Sequence, residues 1–278
     1  MSKSRVALVL AALPVLLALW TVFIGPRRLV VHREDLALPR WPATEAPLRV
    51  ALLSDLHVGS PHWGLARLDT LVERTNAEAP DIILLAGDYV IDGVWFGTKI
   101  MPEPIAEGLG RLRAPGGVIA VLGNHDGWND GPRIRRALTA RGIVVLENEV
   151  HTFTVRGATF AIAGLADLLT GVPRPAETFD LAPPGAPIIA LVHEPDVFSS
   201  VGDRPALTLA GHTHGGQVYL PLIGRPVVPS DFGERYAAGH VVERGRHLFV
   251  TTGVGTSILP VRLGVPPEIA ILTLRGAR

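Results

Sequence analysis

The chain has no cysteine. That excludes disulfide scaffolds, thiolate zinc sites and iron–sulfur clusters, although it leaves the compartment open. There is no excess of charge either. The 26 basic residues balance 26 acidic ones, so no broad positive surface draws in nucleic acid. No internal repeat, no long disordered tract and no G-x-S-x-G elbow for a serine nucleophile occur. What remains is 278 residues with 47% apolar content, enough for one α/β domain with a large core and a small extra element.

The longest uncharged apolar run lies at the N-terminus. Val6 to Ile24 reads VALVLAALPVLLALWTVFI, close to the roughly 20 residues that cross a bilayer as a helix. Lys3 and Arg5 precede it, Arg27 and Arg28 follow it, and Trp20 sits near one end, as interfacial aromatics do. Pro14 is tolerated in a membrane helix. The rival reading is a cleaved signal peptide. Its apolar core is typically about 7–15 residues with a small-x-small cleavage site, and no such site follows Phe23. The expectation is a single-pass anchor over residues 1–26 in the cell membrane, with membrane lipids as partners. Basic residues on both flanks leave the side of the globular domain open. A linker with Pro39, Pro42 and Pro47 is expected over 27–47, and the globular domain over 48–278.

Within that domain, Leu48 to Leu53, Asp81 to Ala86 and Val118 to Leu122 are apolar runs of the kind found in strands covered on both faces. Leu65 to Ala79 and Pro102 to Leu112 have helical patterning between them, and Arg133 to Arg141 reads as a short basic helix. The second half is richer in strands. These are Ile143 to Leu146, Thr152 to Val155, Thr159 to Ala163, Ile188 to Val192, Leu207 to Ala210, Gln217 to Leu220, His247 to Thr251 and Ile269 to Leu274. A proline-rich loop, Val172 to Pro187, interrupts them. A βαβαβ half followed by a strand-rich half favours two stacked sheets with helices outside over one doubly wound sheet.

The chemistry-bearing residues cluster at the ends of these runs. Asp55-Leu56-His57, Gly87-Asp88, Gly123-Asn124-His125-Asp126, His193 and Gly211-His212-Thr213-His214 each follow an apolar stretch. A buried carboxylate without a partner is costly, and neither Asp55 nor Asp88 has a charged partner nearby in sequence. Divalent cations satisfy two such carboxylates more readily than salt bridges from elsewhere. One histidine at a strand end is ordinarily structural, and DxH or GD alone arises often by chance. All five motifs in this order do not. Imidazole, carboxylate and carboxamide donors without sulfur suit Mn, Fe, Zn or Co.

This set closely resembles the calcineurin-like metallophosphoesterase superfamily over roughly Leu48 to Leu274. The resemblance implies an α/β fold, a four-layer α/β/β/α sandwich of two mixed sheets, here preceded by one transmembrane helix. It implies two divalent metal ions, manganese foremost. One site would use Asp55, His57, Asp88 and His214, the other Asp88, Asn124, His193 and His212, with Asp88 bridging. His125 would be the catalytic imidazole and Asp126 its orienter. The implied reaction is hydrolysis of a phosphodiester or pyrophosphate by hydroxide activated between the metals.

The apolar N-terminus, Gly87-Asp88-Tyr89-Val90 and the run Gly211 to Gly224 are also similar to a membrane-associated bacterial branch. That branch includes single-span phosphodiesterases and enzymes that hydrolyse UDP-2,3-diacylglucosamine in lipid A biosynthesis. A lipid-linked substrate follows as the expectation, with a soluble phosphodiester as the alternative. All seven ligand positions are intact, which argues against an inactive scaffold, and no obligate protein partner is expected. Outside the motifs, Arg262 in the Gly253 to Pro267 loop is a candidate for a second phosphate, with a structural ion pair as the favoured alternative. Trp95, a candidate substrate contact, and Phe96 are candidates for an apolar lip that receives acyl chains or dips into the membrane interface, with a packed loop as the alternative.

Overall fold

The computed structural model describes residues 12–42 and 47–277. Side chains on alternate faces of a strand point opposite ways. In β2 (Leu48–Leu53) Val50 and Leu52 are buried on one face and Ala51 and Leu53 on the other, so the strand must be covered twice. The same holds for β3 (Ile82–Leu85) and β4 (Val118–Ala120). Their outer face is closed by α2 (Leu65–Ala77), α3 (Pro102–Leu109) and α4 (Asn124–Thr139), which bring Leu68, Leu71, Ile105, Leu109, Ile134 and Leu138 to it.

The inner face meets a second sheet. Val50, Leu52 and Leu84 share one core with Phe160, Ile189, Leu207 and Phe249. The first sheet runs β1-β12-β2-β3-β4-β5, where β1 is Val30–Leu38, β12 is Glu268–Gly276 and β5 is Val144–Val145. The second runs β10-β11-β9-β8-β7-β6. In chain order these strands are β6 (Glu149–Val155), β7 (Ala158–Gly164), β8 (Ile188–Leu191), β9 (Leu207–Ala210), β10 (Gly239–Glu243) and β11 (Arg246–Val250). Both sheets are mixed: β2 to β5 are parallel, as are β7, β8, β9 and β11. Beyond the second sheet, α5 (Pro175–Asp180) places Phe179 in a third core with Phe198 and Tyr236. The layers are α/β/β/α.

Three expectations are corrected. Residues 30–38 are no linker but β1, paired in parallel with β12 from Val30↔Glu268 to Leu38↔Gly276. Its charged middle, His32 to Asp35, hides an edge strand whose Leu36 and Leu38 enter the inter-sheet core. Gln217 to Leu220 is not a strand. A left-handed turn at Gln217 (φ 57°) leaves only isolated bridges, from Val218 to Leu263 and from Leu220 to Gly224. The helix expected from Arg133 begins at Asn124, because the glycine-rich motif itself coils before a kink at Asp130.

The described N-terminal residues are helical over 12–19, here called α1, and end in a π-helical turn, Trp20–Ile24. Among the described residues no helix is long and apolar enough to cross a membrane. The first six residues of the apolar run, Val6 to Ala11, lie outside the described residues.

At one seam the sheet edges meet through histidines. His240 of β10 and His247 of β11 stack, with Nε2 and Nδ1 2.9 Å apart. Glu34 of β1 faces His240 at 3.9 Å and His32 at 3.2 Å, and Arg40 adds positive charge beside His247. Burial lowers both imidazoles below their ordinary range; Glu34 partly opposes this at His240, and His240 and Arg40 reinforce it at His247. The fold therefore takes up these protons less readily than the unfolded chain, so stability is full above the unfolded pKa and is lost as pH falls. The urea midpoint of wild type is expected to drop between about pH 7 and about pH 5, and His247→Gln should flatten that slope. Parallel slopes would remove the pair from the account.

Candidate metal centre

The parallel strands deliver their following residues to one end of the two sheets. β2 leads into Asp55 and His57, β3 into Asp88, β4 into Asn124 and His125, β8 into His193, and β9 into His212 and His214. The chain turns sharply as it leaves each strand. Asp55, His57, Asp88, His212 and His214 all have left-handed backbone, with φ between 41° and 69°. Such conformations cost about 1–3 kcal/mol each in a non-glycine residue and gather at functional sites. Close packing of the loops demands glycine beside them. A Cβ at Gly87 (φ +95°) would lie 2.6 Å from the Gly123 nitrogen and 2.8 Å from Nδ1 of His193.

The seven expected ligands converge. Asp55, His57 and His214 hold donor atoms within 4.8 Å of one another, and so do Asp55, Asp88 and His193. Nε2 of His57 lies 3.1 Å from Nε2 of His214, which is itself 3.5 Å from Asp55 Oδ1. On the other side, Oδ1 of Asn124 is 3.0 Å from both His193 Nε2 and His212 Nδ1, and those two nitrogens are 3.3 Å apart. Asp88 stands between the groups, its Oδ2 3.2 Å from His193 Nε2 and 3.6 Å from His57 Nε2.

These contacts fit a cation better than they fit each other. Nδ1 of His57 donates to the Val90 carbonyl at 3.1 Å and Nδ1 of His193 to the Ala86 carbonyl at 2.6 Å. Each ring thereby aims Nε2 inward, and in its neutral form offers a lone pair there. Lone pairs that face one another, next to buried carboxylates with no Lys or Arg partner among the described residues, describe a donor set for divalent metal.

Burial acts downward on His193, but Asp88 outweighs it and raises the imidazole well above its ordinary range; the proton held there is one whose place a divalent cation would take. Burial raises the Asp55 carboxyl to about 6, and Asp88 adds to the rise while His193 opposes it. Burial also pushes His57 down to about 3 and His212 to about 4. For Asp88 burial acts upward, but the surrounding histidines, His193 first, outweigh it and hold the carboxyl well below the usual carboxylate range.

His125 stands at the mouth. Its amide donates to Asp88 Oδ1 at 2.9 Å, and its Nε2 lies 4.0 Å from Asp88 Oδ2. The ring meets His57 and Trp128 edge-on, at 4.8 and 5.1 Å. Asp126 does not orient it. The Asp126 carboxylate accepts from the amides of Asp88 (2.8 Å), Tyr89 (2.9 Å) and Gly123 (3.0 Å), and Nδ1 of His125 has no partner among the described residues. The first turn of α4 aims Asp126 at the backbone of the β3 loop, so it ties the two motif loops together.

Arg262 is likewise behind the site. It is fully buried, donating to the carbonyls of Gly255, Val265 and Thr252, with Nη2 3.4 Å from Nδ1 of His214. Burial and then the charges of His57 and Arg262 keep His214 well below its ordinary pKa. Trp95 lies on the outer rim, 60% exposed.

A carboxyl pair at the edge of the centre escaped the sequence reading. Glu194 follows His193 directly, is buried, and is raised to about 8 by burial and then by the neighbouring Asp167 carboxyl. The signal available was its place immediately after a motif histidine, and charge so near a buried strand end.

A sequence model described as calcineurin-like phosphoesterase matches residues 48–216. The chain belongs to that family. It is a metallophosphoesterase, a hydrolase, and such enzymes use divalent metals. It is 34% identical over 231 residues to the uncharacterized metallophosphoesterase YkuE of Bacillus subtilis, a match covering 82% of this chain and 79% of that one. It is 34% identical over 235 residues to the phosphodiesterase YaeI of Escherichia coli, covering 82% and 83%. It is also 28% identical over 265 residues to a Danio rerio protein named transmembrane protein with metallophosphoesterase domain, covering 87% of this chain and 56% of that one.

Removing the Asp126 carboxylate leaves three buried amides unpaired. Asp126→Ala is expected to cost about 3 kcal/mol of stability and to weaken metal binding together with it. Calorimetric unfolding checks this; a variant of unchanged melting temperature would show that the bracket is dispensable.

Proposed function

We propose that the chain is a membrane-anchored phosphodiesterase that works with two divalent cations on a lipid-linked phosphodiester or pyrophosphate. The observation that carries the reading is the position of Asp88 between two sets of donors. Asp55, His57 and His214 would hold one cation, Asn124, His193 and His212 the other, and Asp88 both. Bound there, the cations would supply positive charge to the phosphoryl oxygens and acidify a water for attack on phosphorus.

The chain's own residues do the rest. The N-terminal turn of α4 presents its positive end to the site and favours a phosphoryl anion there. Nε2 of His125, at the mouth above Asp88, hands a proton to the departing oxygen as the phosphorus–oxygen bond breaks. Asp55, Asp88 and the imidazoles lie buried, a setting in which charge acts strongly on the substrate. The uncharged run Val6 to Ile24 supports the anchor, and a relative named as a transmembrane protein is in keeping with it.

With manganese, wild type is expected to cleave a chromogenic phosphodiester, and Asp88→Asn to lose both metal and activity. His125→Ala should keep its metal while turnover falls by about 10²–10⁴-fold. Full turnover by that variant on a poor leaving group would remove the proton-donor role. UDP-2,3-diacylglucosamine is the lipid-linked substrate to offer beside the chromogenic one. Release of UMP supports the lipid A assignment; cleavage of the chromogenic diester alone favours a soluble or different envelope substrate.

A further inference from the structure

The end of the domain that carries the metal centre also carries an exposed apolar collar. Phe96, Leu222 and Ile258 expose 87, 106 and 65% of their surface. Each stands on a loop that follows a parallel strand, β3, β9 and β11 respectively, so all three project from the end where those strands deliver Asp88, His212 and His214. The loops are tied into one rim. The Trp95 amide donates to the Ile258 carbonyl at 2.9 Å, the Gln217 side chain to the Ser257 carbonyl at 3.1 Å, and the Tyr219 amide to the Leu263 carbonyl at 2.8 Å.

Helix α1 joins the domain on this same rim. β1 is parallel to β12, which is antiparallel to β2, so β1 begins where β2 ends. The chain ahead of it must then enter at the metal end. The contacts agree: the Arg262 amide donates to the Thr21 carbonyl at 3.0 Å, Trp63 Nε1 to the Pro26 carbonyl at 2.9 Å, and Phe23 packs edge-on against His62. Leu13, Leu16, Leu17 and Phe23 of the helical segment are exposed. At its foot Arg28 lies over the Trp20 ring at 5.6 Å, with Arg27 also exposed. An exposed apolar segment that ends in a Trp–Arg pair is the arrangement found where a chain leaves hydrocarbon for anionic headgroups.

We propose that the collar is a lipid-bilayer surface, and that the domain lies with its metal centre facing the headgroup plane. Phe96, Leu222 and Ile258 dip into the interface beside α1, and a phosphoester carried by a membrane lipid reaches His125 without leaving the bilayer. This rests on the membrane-anchor reading and deepens it.

The absence of cysteine makes the test direct. Full-length Phe96→Cys and Arg244→Cys are each labelled with an environment-sensitive fluorophore and mixed with phosphatidylethanolamine–phosphatidylglycerol vesicles. Arg244, in the β10–β11 turn, is at the opposite end. Both proteins should float with the vesicles, and only the label at 96 should shift to the blue and brighten. Flotation with an unchanged label at 96 overturns the collar while leaving the anchor, and would assign the apolar rim to a protein partner. Failure to float overturns the anchor reading and the collar with it.

The second arm uses Leu222→Ser with Ile258→Ser. Both side chains are so exposed that the fold does not depend on them. Hydrolysis of a chromogenic phosphodiester bearing a long acyl chain in vesicles should fall by about ten-fold or more, with its water-soluble counterpart cleaved at the wild-type rate. Equal rates on both substrates, or an equal loss on both, contradict the proposal.

Discussion

The carboxylate of Asp88 is the constraint on which the rest of the structure depends. It is buried, no Lys or Arg among the described residues faces it, and its charge persists because imidazoles surround it. A charge in such a place is tolerated only where something of opposite sign compensates it. Everything near it serves that end. Its own amide is held by Asp126, the His125 amide caps its Oδ1, and His57 and His193 are fixed by carbonyl acceptors in the one orientation that points Nε2 inward. The layers behind it are apolar on both faces, which makes the site dry and the positions of the loops unforgiving.

Strain supports the same conclusion from another direction. Five of the seven proposed ligands have left-handed backbone. A protein selected for stability alone has no reason to place Asp and His residues there, and glycine would relieve each turn. The turns persist because they swing side chains from strands that end side by side into one small volume. The sheets provide stability, and the loops spend part of it on geometry.

Much of this was legible in the sequence. Apolar runs doubly covered by helix and sheet, and motifs that close each run, gave the layer order and the position of the donors, because burial and period are local properties. The misses were of two kinds. β1 was concealed by His32, Arg33, Glu34 and Asp35, since an edge strand needs only one apolar stripe and its partner, β12, lies at the other end of the chain. Asp126 and Arg262 were assigned from their neighbours in sequence. The first turns toward backbone amides rather than His125. The second is buried among carbonyls that loops distant in sequence supply. Motif types disclosed which residues gather, but not which way a carboxylate or guanidinium points once the loops fold.

The most direct test of the account is to count metal. Crystals grown with manganese and measured for anomalous scattering should show two peaks, one on each side of the Asp88 carboxylate, the first among Asp55, His57 and His214 and the second among Asn124, His193 and His212. A single peak, or none with the protein folded, would contradict the two-cation centre and leave the buried histidines and carboxylates without the compensation that their burial requires.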